Sequence, residues 1–373
     1  VETILNSHVA RRIEEFREKL DKASVDAGWI VRPENRRYLS GYEARDSQLD
    51  ESSGSLLIGK DSLVLLTDSR FSEQASREAE GFRVEQVGGN FSESFSKVAE
   101  RIGCLKVGFE KDYLTWGMHA KVSAEMERLD PPGKLVPLDR EVENLRRVKD
   151  TEELESMEAS ARMIAGILDE LIDWIQPGMT EREVAWHLAE LANEAGAEGL
   201  SFPPIIASGP NSSLPHAVPT ERRLAEGEPV MMDVGVTLAG YCSDMTRTVF
   251  IGEPADKFKA VYSVVRRAQL AALDVLRVGA VAREVDQVAR NVIAEAGYGD
   301  YFGHGLGHGV GLAVHEAPRL NPQDSTVLEE GMVVTVEPGV YFPGEGGVRL
   351  EETVVVEAQG PRILTCCNRF YDW

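Results

Sequence analysis

The chain has 373 residues, a length that favours two domains over one. Its apolar and charged fractions, 43% and 27%, are those of an ordinary globular protein with a core of useful size. A formal net charge of -22 repels nucleic-acid phosphates and anionic membranes, so neither is an expected partner.

Val9, Ile13, Phe16 and Leu20 form one apolar stripe, which predicts a first helix ended by Gly28. A short strand, WIV, and a turn-rich patch follow. Residues 55–58 and 63–67 read as two strands joined by the polar turn GKDS. A helix over 70–80, the strand RVEQV, a helix over 92–101 and the strand LKVGFE complete an alternating pattern. That alternation predicts an α/β domain over residues 1–140. Pro131, Pro132, Gly133 and Pro137 then bar any helix through DPPGKLVPLD, which places a boundary near 131–145. A long helical pattern opens the second domain, 141–373, with Asp150 or Thr151 as its cap and acids in its first turn.

The second domain contains an internal echo. IQPGMTEREVAWHLAELANEAGAEG resembles LRVGAVAREVDQVARNVIAEAGYGD, with Gly178 falling on Gly279 and Gly196 on Gly297 at one offset. A single repeat of this length implies two similar halves, with a site where they meet.

Each half ends in a strand pair carrying two acids. In VMMDVGVTLAGYCSDMTRTVF the turn is expected at Leu238–Gly240, which sets Asp233 directly opposite Asp244. In VVTVEPGVYFPGEGGVRLEETVVV, Glu337 and Glu351 are symmetric about Gly344, and Glu352 points to the other face. Carboxylates held so close need a shared proton or cation. Carboxylate donors in this number suit divalent metals and can bridge two of them. His304, His308 and His315 crowd into GHGLGHGVGLAVHE, where alternate glycines let the backbone approach a ligand. His216 lies in the Pro- and Ser-rich loop NSSLPHAVPT. His8, His119 and His187 have no clustered partners and receive no role. The four cysteines, Cys104, Cys242, Cys366 and Cys367, form no CxxC pair and no zinc spacing. With a charged N-terminal stretch and no apolar run of membrane-spanning length, the expectation is a reduced, cytoplasmic protein.

These motifs resemble, in order and spacing, the aminopeptidase P/prolidase branch of the pita-bread metallopeptidases. ENRRYLSGY and LLTDSRFSEQA are similar to that family's creatinase-type N-terminal domain. LRRVKDTEELE, LPHAVPT, MDVG, YCSDMTRT, GHGLGHGVGLAVHE, VEPGVY and GVRLEET are similar to its catalytic domain. The resemblance implies an α/β (α+β) chain with a pita-bread catalytic domain. It makes Asp233, Asp244, His308, Glu337 and Glu351 ligands of two divalent ions, with manganese foremost and Co, Zn or Fe also accepted. Asp244 and Glu351 would bridge the ions, and Glu337 would also shuttle a proton. His216, His304 and His315 would contact substrate or the tetrahedral intermediate, supported by Tyr341 and Arg349. The family's third acid motif often ends Glu-Asp-Thr, where this chain has Glu351-Glu352-Thr353.

The implied activity is release of the first residue from short peptides with proline second, by a homodimer whose N-terminal domains narrow the entrance. The alternative is an Xaa-Pro dipeptidase, for which Arg319 in HEAPRL would hold the proline carboxylate; the same stretch also suits a short aminopeptidase P, so Arg319 does not decide between the two. A methionine aminopeptidase fits less well, because it resembles only the C-terminal half. A non-catalytic pita-bread binding protein would lack metal ligands that are all present here.

Overall fold

The computed structural model describes residues 6–46, 48 and 51–373. The chain divides into two compact units, Val1–Arg146 and Arg147–Trp373.

The first unit is built on a mixed six-stranded sheet. Its strand order is Arg83–Gln86, Leu63–Thr67, Ser55–Gly59, Ala27–Ile30, Lys106–Glu110, Lys134–Leu138. The first helix, Ser7–Lys22, buries the expected stripe of Ile13, Phe16 and Leu20, but it stops before Gly28. Gly28 instead lies inside the strand Ala27–Ile30, where a Cβ would stand 2.5 Å from the Phe16 ring. Its job is close packing of helix on sheet rather than helix termination. Helices Pro33–Ser40 and Trp116–Glu127 were not legible in the sequence. Lys134–Leu138 is an edge strand, which is why Pro137 is tolerated in it. Helix Glu141–Arg146, expected in the second domain, belongs to this unit, and Arg146 donates to Asn35 Oδ1 at 2.6 Å.

The second unit is two variations on one motif. Helix Glu181–Glu194 in the first half corresponds to Ala282–Glu295 in the second. The glycines flanking each helix share one conformation, with φ of 90° and 87° at Gly178 and Gly279, and 83° and 85° at Gly196 and Gly297. The left-handed backbone there explains why both halves keep glycine. The same strap crosses both motifs. Gly178 N donates to Leu224 O and Gly279 N to Leu328 O, each at 2.8 Å. Each half opens on a longer helix, Thr151–Trp174 and Asp256–Val275. The first begins at an Asp150/Glu153 capping box, as its sequence predicts.

The strands carry the acids. Pro229–Val234 lies between Ile205–Ser208 and Met245–Phe250 in one antiparallel sheet. The register pairs Asp233 with Thr246, and the turn is Ala239–Gly240, between the paired Leu238 and Tyr241. Asp233 and Asp244 are therefore diagonal neighbours on one face rather than directly opposite. The strand breaks at Gly235, where a Cβ would lie 2.0 Å from Ser243 O, so only glycine fits. The second hairpin matches its expected register. Val336 pairs with Glu352 and Gly339 with Arg349, which leaves Glu337 opposite Glu351 between the two ladders.

Behind the acids, Arg247 ties the two halves together. Its fully buried guanidinium donates to Thr246 O at 3.0 Å, Glu351 O at 2.5 Å, Glu352 Oε1 at 2.7 Å and Cys367 O at 2.8 Å. Phe370 covers it, with the guanidinium 4.2 Å from the ring centroid. Glu352 thus faces away from Glu351, as the period of two requires. Removing one member of such a pair leaves a buried uncompensated charge. Arg247→Ala should lower the unfolding free energy of this unit by about 3–5 kcal/mol. Denaturant unfolding checks this, and a loss below ~1 kcal/mol would show that the pair does not hold the halves together.

Candidate metal centre

Asp233 sits in the strand Pro229–Val234, Asp244 just before Met245–Phe250, and Glu337 and Glu351 between paired strands of the second half. His308 lies in the short strand Gly307–Gly309. That strand comes very near its neighbour, since a Cβ on Gly307 would lie 2.0 Å from Thr335 O. The alternate glycines therefore serve, in part, the approach of one backbone to another.

These strands bring the five residues to one place. Ligand atoms of Asp244, His308 and Glu351 all lie within 4.8 Å of one another, and all three residues are buried. His308 Nε2 is 3.6 Å from Asp244 Oδ2 and 3.4 Å from Glu337 Oε1. His308 Nδ1 lies 3.1 Å from Gly309 O, so the proton belongs on Nδ1, and Nε2 presents its lone pair to the acids. Asp233 Oδ2 accepts from Arg349 Nη2 at 2.5 Å, while its buried Oδ1 has no hydrogen-bond partner among the described residues.

The electrostatics are those of a site short of positive charge. Burial, then Glu351 and Asp233 nearby, holds the Asp244 carboxyl well above its ordinary range. Burial, then Glu337 and Asp233, does the same to Glu351. Burial pushes Glu337 up to about 7 despite Arg349. His308 is pushed down to about 3 by burial and by His315. A neutral imidazole among acids that resist ionisation fits a divalent cation: carboxylate and imidazole donors converge, and one buried carboxylate oxygen lacks a partner.

A second set of groups flanks the acids. Arg349 Nη1 donates to Tyr341 Oη at 2.9 Å, and Tyr341 Oη lies 2.9 Å from His304 Nε2. His304 Nδ1 is 2.7 Å from Gly305 O, so Nε2 accepts the Tyr341 proton in this chain. Burial, followed by Arg349, lowers the His304 pKa to about 4, and burial raises the Tyr341 hydroxyl to about 12. Two hydroxyls escaped the sequence analysis. Thr246 Oγ1 donates to Glu351 Oε2 at 2.8 Å, and Thr335 Oγ1 to Glu337 Oε1 at 3.2 Å. Each lies two residues from a motif acid, Asp244 and Glu337, so the strand period could have found them.

The cluster floors a cavity of about 620 Å³. Phe202, Pro204, Ile205 and Ala217 supply apolar wall. His216, His304, His315 and Arg319 also line it, the first two residues of this set coming from different halves. Ten of the eleven residues given a site role in the sequence line this cavity, and Tyr341 meets it through His304 and Arg349.

Comparison with known proteins agrees. Residues 155–358 match the description "Metallopeptidase family M24" and residues 12–148 "Creatinase/Prolidase N-terminal domain". An Xaa-Pro dipeptidase of Pyrococcus horikoshii is 37% identical over 366 residues, 98% of this chain and 99% of that one. The solved Xaa-Pro dipeptidase from Bacillus anthracis superposes with a TM-score of 0.90 at 37% identity, covering 96% of this chain and 98% of its own. The X-Pro aminopeptidase from Thermotoga maritima gives 0.83 at 36% identity, covering 94% and 98%. The chain belongs to metallopeptidase family M24, with a creatinase/prolidase N-terminal domain and a pita-bread catalytic domain.

Proposed function

We propose that this metallopeptidase is an Xaa-Pro dipeptidase, which releases proline from dipeptides. The carrying observation is Arg319, a cation lining the same cavity as the acid cluster and paired with His308 across the ladder. A dipeptide presents its proline carboxylate one residue from the scissile bond, and a guanidinium recognises a carboxylate well. The relatives named as Xaa-Pro dipeptidases support this over release of the first residue from longer peptides, the activity the sequence resemblance implied. The Thermotoga relative keeps that second reading in view. An Xaa-Pro bond is a tertiary amide without an N–H, so a general peptidase that grips this group loses a contact.

In this reading Asp233, Asp244, His308, Glu337 and Glu351 hold two divalent ions, of which manganese is our first choice and Co, Zn and Fe also suit the donors. Bound there, the ions would polarise the scissile carbonyl and make water a nucleophile near neutral pH. Glu337 would take a proton from water and return it to the leaving proline nitrogen. The Thr335 hydroxyl orients it. His315 and His216 line the cavity and stabilise the developing oxyanion, and Arg349 and Tyr341 hold His304. The apolar wall suits a proline ring. A two-fold dimer and a reducing, cytoplasmic setting accompany this reading, the latter supported by four free cysteines.

Substrate length tests the proposal directly. Gly-Pro dipeptide should be cleaved faster than Xaa-Pro-Yaa tripeptides, and Arg319→Ala should raise KM for dipeptides about 10-fold or more with little change in kcat. Preferential cleavage of tripeptides would instead identify an aminopeptidase.

The histidines should separate by role. His315→Ala should lower kcat by ~100-fold with bound metal unchanged, whereas His308→Ala should lose metal first. Metal analysis beside turnover distinguishes these outcomes, and metal loss from His315→Ala would reverse the assignment.

Metal uptake should depend on pH. Glu337 rises from an unfolded value of ~4.3 to about 7 in the fold. Its raised value favours the metal-free fold below the unfolded pKa, and that contribution is lost as pH rises through about 7. His304 and His308 are lowered and act with the opposite sign, losing stability as pH falls below ~6.5. The metal-free curve therefore mixes both signs, but the difference made by metal does not, because ligation requires deprotonated carboxyls. The Tm increment from added Mn should grow from pH 5 to pH 8, with protons released on binding. Calorimetry showing an increment independent of pH would refute the carboxylate ligands.

A further inference from the structure

We propose that Glu181 is a positioning residue, which holds the loop 214–220 so that His216 faces the cavity. Its part in catalysis rests on the peptidase reading above, while its hold on the loop does not.

Glu181 is fully buried in the first turn of helix Glu181–Glu194. Its carboxylate gathers donors from three segments. Oε1 accepts from Ser208 N at 2.7 Å and Ser208 Oγ at 2.8 Å. Oε2 accepts from Thr220 N at 3.0 Å and Thr220 Oγ1 at 2.6 Å. Asn211 Nδ2 donates to both oxygens, at 3.1 and 3.0 Å. Ser208 ends the strand that pairs with Asp233 through Ile205. Thr220 ends the loop that carries His216. At the other end of the loop Arg349 Nη1, whose Nη2 holds Asp233, donates to Pro215 O at 3.1 Å. The His216 loop is thus hung between two anchors, one of them in the acid cluster.

The internal repeat shows that the helix itself does not need this acid. In the second half Ala282 occupies the position of Glu181, and the helix begins there equally well. The main-chain strap is also kept: Glu181 N donates to Arg222 O at 3.0 Å, and Ala282 N to Thr326 O at 2.9 Å. Capping in the first half belongs to Thr180 and Glu183. What differs is the loop. In the second half Asp324 pins it from within, accepting from Arg319 N and Thr326 N, each at 2.8 Å. The first-half loop is rich in proline and has no such internal acid, so the acid is supplied by the helix.

Glu181→Gln keeps the volume but turns an NH2 group toward N–H donors. On Gly-Pro we expect kcat to fall on the order of 10- to 100-fold with KM and bound metal little changed. Amide hydrogen exchange within 214–220 should accelerate while that of strand Gly307–Gly309 does not. In the double variant with His216→Ala the loss should match that of His216→Ala alone, because both act through one side chain. Unchanged exchange and turnover in Glu181→Gln, or losses that multiply in the double variant, would overturn the proposal. If Glu181→Gln does not fold, Thr220→Val removes one donor and should give the same pattern more weakly, with unchanged loop exchange again overturning it. Should the wild-type protein cleave no Xaa-Pro substrate, the peptidase reading fails, and the exchange measurement still decides the loop.

Discussion

Four carboxylates, Asp233, Asp244, Glu337 and Glu351, are brought together on the floor of a partly apolar cavity, and much of the second unit is arranged around that cost. Buried acids this close cannot all ionise without compensating charge. Arg349 answers part of the deficit through Asp233. The remainder appears as carboxyl groups held above their ordinary range and as an aspartate oxygen with no partner. A divalent cation resolves the strain, and folding and metal binding are then linked.

Holding acids in such a place requires a rigid frame on the far side. Arg247 provides it, joining Thr246, Glu351, Glu352 and the C-terminal segment at Cys367. The two faces of the strand end that carries Glu351 and Glu352 thereby have opposite tasks. One acid is left short of cations beside the cavity, and the next is paired behind it. On the cavity side the Thr246 hydroxyl joins the two halves directly, since it donates to Glu351 while accepting from Arg349 Nε.

The internal two-fold repeat supplies the geometry. Each half contributes a strand pair with two acids and a further segment that reaches the cavity, a loop bearing His216 in one and, in the other, the strand Glu316–Leu320, with Arg319 in it and His315 just before it. The scaffold hydrogen bonds repeat almost unchanged, while the loop anchors have diverged to Glu181 and Asp324. Divergence at the loops over a constant scaffold is what a binding site built on symmetric halves allows.

Much of this was legible in the chain itself. Periodicity located the first helix, because burial of one face writes a period into the residues, whereas two apolar runs about a polar turn marked the strand pair at 55–67 and a cap with first-turn acids marked the helix after Asp150. The repeat announced itself through Gly178, Gly196, Gly279 and Gly297, since only glycine adopts their backbone at no cost. The symmetry of Glu337 and Glu351 about Gly344 survived intact, because a regular hairpin preserves register. That of Asp233 and Asp244 did not, because the turn lies at Ala239–Gly240 and a break at Gly235 is needed to bring Ser243 close. The helix Pro33–Ser40 and the tasks of Gly28, Gly307, Arg247 and Glu181 were beyond reach for one reason. Each is defined by groups distant in sequence, such as Phe16 beside Gly28 or Thr220 beside Glu181. The chain by itself determined which chemistry was available, since residue types and local periods are written in it. The tertiary structure alone decided which donors converge, because that depends on register and packing between segments far apart along the chain.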